Sequence, residues 1–165
     1  VLNSLGDAKK DISDILSQYG LKLTFDQASQ QIKLLKQVSE DSIYLVPFNS
    51  IADTLQRIIF YKTAIASNDN SIITFEEPEA HSYPPYISKI TTDIIYSESN
   101  QFFITTHSPF VLNDFMENKK EDLAIYLIDF KDGETFSRRL TDEELEQVAE
   151  YGVDLFFNAE IFLNK

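Results

Sequence analysis

Apolar residues recur at two different spacings in the first third of the chain. Over Asp7–Tyr19 they return at helical spacing, which predicts a helix that ends at Gly20. Beyond Gly20 they alternate with polar residues, which predicts strands on a half-buried sheet. The positions that carry this second pattern are Leu21, Leu23, Phe25, Ile32, Leu34 and the stretch Tyr44–Val46.

From Asn49 onward the pattern predicts helices and short strands in alternation. The first helix has Asn49 or Ser50 as its N-cap and Asp53 in its first turn. Two apolar runs predict buried strands, and Pro84-Pro85 opens the helix between them. The predicted elements are helix 49–67, strand Ile72–Phe75, helix Tyr86–Tyr96, strand Phe102–Thr105 and helix Phe110–Phe115.

The remaining residues predict a hairpin followed by a capped helix. Strands Ala124–Phe130 and Thr135–Leu140 flank Asp132-Gly133, a dipeptide typical of a tight hairpin turn. Thr141 with Glu144 three residues later has the pattern of a capping box at the start of a helix.

The succession of strands and helices predicts an α/β protein with a mostly parallel sheet and flanking helices. The aromatic-rich stretch Tyr151–Leu163 is assigned to the core. We expect residues 1–48 to form an N-terminal helical and extended subdomain, and residues 49–165 to form the main lobe.

Composition narrows the class of protein. The chain of 165 residues is 43% hydrophobic, carries no cysteine and has a formal net charge of −13. That charge excludes a global electrostatic footprint for nucleic acid, although a local basic face stays open. No apolar run approaches the roughly 20 residues of a membrane span, so we expect a cytoplasmic protein without membrane contact. The cations that leave a local basic face open, because they are spread unevenly along the chain, are Lys33, Lys36, Arg57 and Lys62.

Two adjacent acids, Glu76 and Glu77, follow the strand Ile72–Phe75. Open α/β sheets bind their ligands at the carboxyl ends of the strands. Neighbouring residues on a strand point to opposite sides, so the two carboxylates serve different purposes. ATP hydrolysis needs such a pair, because one carboxylate holds Mg²⁺ and another orients the attacking water.

The segment Ile72–Pro85 (IITFEEPEAHSYPP) resembles the Walker B motif of ABC-type, AAA-family ATPase heads, in the branch that includes OLD-family, RecF-like and SMC-like proteins. That branch commonly has four apolar residues, then Asp-Glu-Pro-Glu, one residue and His. The resemblance implies that Glu77 is the catalytic glutamate and that Glu76 holds magnesium. Glu76 stands where the family has aspartate.

Two other interpretations of this segment remain open from the sequence. Acids before a proline-led helix stabilise its N-terminus, so Glu76 and Glu77 could simply cap the next helix. Alternatively, Glu77 and His81 have the i, i+4 spacing of a metal-hydrolase site, although Pro78 between them argues against one continuous helix.

The segment Phe102–Pro109 (FFITTHSP) resembles the switch-histidine strand of the same family, which commonly ends in Thr-His-Ser-Pro. The resemblance implies that His107 contacts the γ-phosphate of ATP and the attacking water from the end of the neighbouring strand. A purely structural histidine at a strand end is the alternative.

The segment Val46–Arg57 lies where the ABC signature belongs, at the helix that precedes Walker B. The usual signature is Leu-Ser-Gly-Gly-Gln. Here Ser50 is kept, but Ala52 removes the close backbone approach that glycine permits. The resemblance implies that Ser50 and the N-terminus of this helix bind the γ-phosphate of ATP held by a second subunit. Asp53, at the same helix start, is assigned to the same nucleotide-binding site. A capped helix without a ligand is the alternative.

The sequence holds no phosphate-binding loop of the form Gly-x-x-x-x-Gly-Lys-Ser/Thr, because none of Gly6, Gly20, Gly133 and Gly152 is followed by lysine. The resemblance therefore covers about Phe48–Lys165 and implies the C-terminal half of a P-loop NTPase (ABC ATPase) fold. We expect a piece of a longer protein whose N-terminal lobe carries the Walker A loop. A natural truncation whose partner supplies the loop is the alternative.

The implied function belongs to the complete protein. It is an ATPase that uses ATP and Mg²⁺, forms a head-to-tail homodimer through ATP, and acts in DNA repair or anti-phage defence with DNA as a further partner. The isolated chain is expected to bind ATP weakly and not to hydrolyse it. The alternative is a degenerate ATPase domain that serves as a dimerisation or DNA-binding module.

Overall fold

The computed structural model describes residues 2–40, 42–118 and 122–163. The chain divides into two compact units, Val1–Thr105 and Thr106–Lys165. The helices are α1 (Leu2–Ser17), α2 (Asp53–Ser67), α3 (Pro84–Ile95), α4 (Pro109–Asn118), α5 (Asp142–Tyr151) and α6 (Leu155–Leu163). The strands are β1 (Leu21–Asp26), β2 (Gln31–Ser39), β3 (Ser42–Pro47), β4 (Ile72–Glu76), β5 (Gln101–Thr105), β6 (Tyr126–Lys131) and β7 (Glu134–Arg139).

The first unit begins with α1 and an antiparallel sheet of β1, β2 and β3. Leu34 of β2 lies opposite Leu23 of β1 and Val46 of β3, and its side chain is completely buried. Gly20 follows α1 with a φ of 65°, a conformation that glycine adopts without steric cost. The predicted helix and the predicted extended segments of this region are confirmed.

A buried lysine joins α1, α2 and α3. Lys62 of α2 is only 2% exposed, and its Nζ donates to Asp11 of α1 at 2.9 Å and to Asp93 of α3 at 2.7 Å. Burial alone would lower the pKa of Lys62, but the hydrogen bonds to the two carboxylates and their negative charges together outweigh burial and raise it. Lys62 is therefore not available to a basic face, and Lys33 is paired with Asp26.

The parallel part of the fold is a single pair of strands within the described residues. β4 and β5 run parallel, in register from Ile72 opposite Gln101 to Glu76 opposite Thr105, with α3 connecting them. The expectation of a mostly parallel sheet is wrong for the described residues, because β1–β3 and β6–β7 are antiparallel. The tight turn at Asp132-Gly133 pairs β6 with β7 in an antiparallel hairpin.

One face of the β4–β5 pair is covered and the other is open. Phe75 is buried and packs edge-on against Tyr61 of α2, with ring centroids 4.9 Å apart. On the opposite face, Ile72 is 69% and Phe103 is 55% exposed. The prediction of two buried strands is thus correct for one face only.

The second unit is built on a core shared by α4, α5, α6 and Leu140, the residue that follows β7. The predicted capping box is confirmed, since Thr141 and Glu144 exchange side-chain and backbone hydrogen bonds at the start of α5. The predicted hairpin is also confirmed. The assignment of the aromatic-rich stretch to the core holds only in part, because Tyr151 and Phe157 are exposed. The core residues are Met116, Leu140, Leu145, Val148, Leu155 and Phe162.

The predicted boundary between residues 48 and 49 lies inside the first unit and stays a prediction. Across the described ranges, no helix combines the length and the apolar character that crossing a bilayer requires.

Candidate functional site

The two adjacent acids lie at the carboxyl end of the parallel strand pair. Glu76 is the last residue of β4, is exposed, and lies opposite Thr105 of β5. Glu77 is half-buried, and its N–H donates to the Thr105 carbonyl oxygen at 2.9 Å. This bond continues the β4–β5 hydrogen-bonding pattern by one residue, so β5 fixes the backbone of Glu77.

The residues Glu77–Ser82 form two successive turns, which we call the acidic turn. The N–H of Ala80 donates to the Glu77 carbonyl at 2.9 Å, and that of Ser82 donates to the Glu79 carbonyl at 3.0 Å. Pro78 is completely buried. Glu77 and His81 have φ values of 42° and 58°, in the left-handed region that non-glycine residues occupy at a cost of about 1–3 kcal/mol each.

This geometry removes the two alternative interpretations of the acids. Helix α3 begins at Pro84 with Tyr83 as its N-cap, and it has no acidic residue in its first turn, so Glu76 and Glu77 do not cap it. Glu77 and His81 lie in turns and not on one helix, so the i, i+4 metal pair is wrong. Within the described part of the chain, no group of three or more His, Asp or Glu side chains gathers to hold a metal ion.

The signature segment starts its helix later than the sequence predicts. Phe48–Ser50 form a short 3₁₀ turn, and Ile51 is extended. Helix α2 then begins at Asp53, with Ala52 as an N-cap that makes no side-chain hydrogen bond. The prediction of Asn49 or Ser50 as the N-cap is therefore wrong, because the 3₁₀ turn and the extended residue hold both of them away from the first helical N–H groups. Ser50 and Asp53 are exposed.

A contact that the sequence does not reveal joins α2 to the acidic turn. The hydroxyl of Thr54 donates to the carbonyl oxygen of His81 at 2.7 Å. No local pattern identifies Thr54, because its partner is a backbone atom 27 residues away.

The switch-histidine segment lies across the division between the two units. β5 ends at Thr105, and His107 is exposed two residues later, at the beginning of the second unit. The Ser108 N–H donates to the Thr106 hydroxyl at 3.0 Å, just before α4 begins. The structure thus brings Glu76 and Glu77 together with Thr105 in the first unit and places His107 in the second.

Solved structures of SMC ATPase heads share this fold. A structure of an SMC head bound to the C-winged helix domain of ScpA has a TM-score of 0.56 and 14% identity, and covers 87% of this chain and 44% of that one. A structure from work on ATP-driven dimerization and DNA-stimulated activation of SMC ATPases has a TM-score of 0.54 and 13% identity, and covers 87% of this chain and 89% of that one.

A third such structure is the Smc head domain with an extended coiled coil from Pyrococcus furiosus, bound to the C-terminal domain of ScpA. Its TM-score is 0.54 and its identity 13%, over 91% of this chain and 38% of that one. This chain thus spans less than half of two of the three structures. No curated protein matches the sequence.

The sequence model of one protein family also matches, over residues 2–113. Its description is AAA domain, putative AbiEii toxin, Type IV TA system. With the fold shared with SMC ATPase heads, this match confirms the predicted resemblance to a lobe of an ABC/AAA-type ATPase head. The matched residues make up well over half of the chain, so the chain belongs to the AAA domain family of putative AbiEii toxins.

Proposed function

We propose that this chain is the C-terminal lobe of an ABC-type ATPase head and carries one half of a composite ATP site. The observation that carries the proposal is the place of Glu76 and Glu77 at the carboxyl end of β4, beside the parallel strand β5. Ligands of open α/β sheets bind at that edge. In this proposal the segment Ile72–Pro85 is a Walker B motif, and the protein is a cytoplasmic hydrolase.

The two carboxylates have surroundings that suit different roles. Glu77 is half-buried and its backbone is fixed by Thr105, which favours a general base that must hold one direction to accept a proton from the attacking water. Glu76 lies on the open face of the strand pair. We assign His107 to the γ-phosphate at the end of the neighbouring strand.

Glu76 fits a magnesium site as one of its ligands. Mg²⁺ keeps several waters and takes one or two carboxylates together with substrate phosphates, so a single exposed carboxylate is a sufficient contribution from this lobe. When bound, the ion would neutralise charge on the transferred phosphate. The remaining phosphate contacts would come from a Walker A loop outside this sequence.

The open face of β4–β5 supports a second lobe with further strands. Parallel sheets in α/β proteins are covered on both faces, whereas Ile72 and Phe103 are exposed here. The pair is bounded by no other strand within the described ranges. We therefore propose that an N-terminal lobe completes a P-loop NTPase sheet around β4 and β5.

We further propose a head-to-tail homodimer in which the start of α2 meets ATP held by the partner subunit. The N-cap of α2 makes no side-chain hydrogen bond, and Ser50 beside it is exposed. Free N–H groups at a helix start bind phosphate. Asp53 in the first turn would then contact the nucleotide or its magnesium ion and not the phosphate directly. DNA as a partner, in repair or anti-phage defence, is proposed by analogy with the SMC structure linked to DNA-stimulated activation.

A degenerate module for dimerisation or DNA binding is the second candidate. It is favoured by Glu76 in place of aspartate and by Ala52 in the signature. Binding of DNA through the predicted basic face loses support, because Lys62 is buried and Lys33 is paired with Asp26. Dimerisation is therefore the stronger form of this alternative.

The test is Glu77→Gln in the complete protein with its Walker A lobe. Loss of a general base lowers kcat by about 100-fold or more, and we expect ATP binding to persist. Glu98→Gln, an exposed acid beyond α3, is the control that leaves turnover unchanged. Equal measurable turnover in Glu77→Gln and wild type would reject Glu77 as the general base, and no turnover in either protein would reject the ATPase proposal in favour of the degenerate module.

Isothermal titration of the 165-residue chain tests the division of the site between two lobes. We expect no micromolar ATP binding, because this sequence supplies no loop to hold the β- and γ-phosphates. Micromolar affinity would show that the lobe needs no Walker A partner to bind the nucleotide.

A further inference from the structure

One side of α2 faces the acidic turn. Thr54, Arg57 and Tyr61 are spaced i, i+3 and i+7, so they lie on the same face of the helix. Thr54 contacts the turn directly through the carbonyl of His81. Tyr61 packs against Phe75, the last buried residue of β4 before the turn. The helix therefore contacts both the strand and the turn that carry the acids.

Two hydrogen bonds connect the acidic turn to neighbouring elements, one near each end. The Glu77 N–H is held by Thr105 of β5, and the His81 carbonyl is held by Thr54 of α2. These are the two residues of the turn with positive φ. Such backbone conformations persist only where the surroundings hold them in place, so each external bond supports one strained residue.

The charges of Arg57 in α2 and Glu79 in the acidic turn both act on Tyr61. The guanidinium of Arg57 lies over the ring of Tyr61, 6.0 Å from its centroid. Burial raises the pKa of Tyr61, while the charge of Arg57 lowers it and that of Glu79 raises it. Both charges thus act on the same phenol, which places Glu79 of the turn within electrostatic range of this face of α2.

We propose that Thr54 is a positioning residue that sets the conformation of the acidic turn and thereby the direction of the Glu77 carboxylate. The same residue lies in the first turn of α2, next to Asp53. A movement of the start of α2 would pull on the His81 carbonyl and reach Glu77 through the turn. The kinetic part of this inference rests on the proposed ATPase function, whereas the structural part does not.

The structural part is tested on the 165-residue chain by hydrogen–deuterium exchange, with Thr54→Val and Thr54→Ser. Valine keeps the shape of threonine but cannot donate, whereas serine can. We expect the Ala80 and Ser82 amides to exchange roughly fivefold faster in Thr54→Val, as for the loss of one hydrogen bond, and at the wild-type rate in Thr54→Ser. The amides of β4 that pair with β5 are the internal control, and they stay unchanged.

The kinetic part uses the same variants in the complete ATPase. We expect Thr54→Val to lower kcat roughly fivefold with little change in KM, and Thr54→Ser to restore kcat. Unchanged exchange in Thr54→Val overturns the inference, whatever Glu77→Gln does. Faster exchange with unchanged kcat overturns the positioning role alone. Faster exchange over the whole of β4 and α2 in Thr54→Val would mean general destabilisation and would also overturn it.

Discussion

Replacing Lys62 with Met removes one charge from the junction of α1, α2 and α3 while keeping a side chain of similar length. In the native chain the Lys62 ammonium contacts Asp93 at 2.7 Å and Asp11 at 2.9 Å. The variant leaves the Asp93 carboxylate without its cation inside the helix junction. An unpaired charge in such a place is strongly destabilising.

The exposure of the two carboxylates determines how much the free energy of unfolding falls in Lys62→Met. Removing one partner from a fully buried pair costs about 3–5 kcal/mol. Asp93 keeps 28% and Asp11 keeps 53% of its side-chain surface exposed, so water partly replaces the lost cation. The contact with Asp11 is worth no more than about 1 kcal/mol. We therefore expect Lys62→Met to lower the free energy of unfolding by about 2–3 kcal/mol.

The assay is urea unfolding followed by far-ultraviolet circular dichroism, in which a lower midpoint at an unchanged slope reports lost stability. Lys10→Met, an exposed lysine of α1, is the matched control and should change the free energy of unfolding by less than about 0.5 kcal/mol. Adding Asp93→Asn to Lys62→Met should recover at least about 1 kcal/mol, because the stranded charge is then removed. A change of less than about 0.5 kcal/mol in Lys62→Met would refute the reasoning.

Two further predictions concern local hydrogen bonds. Thr141→Ala removes the side-chain acceptor for the Glu144 N–H and should lower the free energy of unfolding by about 1 kcal/mol. Thr141→Ser should retain the cap. Equal urea midpoints for the wild type and both variants would contradict this prediction. The hydrogen bonds from Lys33, Ser29 and the Ala28 N–H hold the pKa of Asp26 well below its usual range. The folded pKa is below the unfolded one, so this stabilisation is present above about pH 3.9 and is lost as the pH falls through the folded value. Carboxyl chemical shifts measured by NMR should follow Asp26 to a midpoint well below about pH 3.9, the ordinary value for aspartate, and a midpoint at that ordinary value would exclude the effect.

Structural features formed by residues that lie close together in the sequence were predictable. Thr141 and Glu144 are three residues apart, and the Asp132-Gly133 turn pairs the strands on either side of it. In both cases short-range steric and hydrogen-bonding rules decide the outcome. The positions of Glu76 and Glu77 at the end of β4 follow in the same way from a short apolar run.

Contacts between distant residues were not predictable. Thr54 meets a carbonyl 27 residues away, and Lys62 meets an aspartate 51 residues away. From the sequence, Lys62 was grouped with the unevenly spread cations that left a local basic face open, because no residue close to it along the chain identifies Asp11 or Asp93 as its partner. The sheet was wrongly extended for the same reason, since strand order depends on pairing that a periodic pattern does not encode.

The open face and the outer edges of the β4–β5 pair also govern how the chain behaves at high concentration. Within the described ranges the two strands pair only with each other, and Ile72 and Phe103 remain exposed. Unpaired strand edges beside apolar side chains are templates for pairing with another copy. We expect the chain expressed by itself to self-associate reversibly as its concentration rises, and a polypeptide that covers this face to suppress that association.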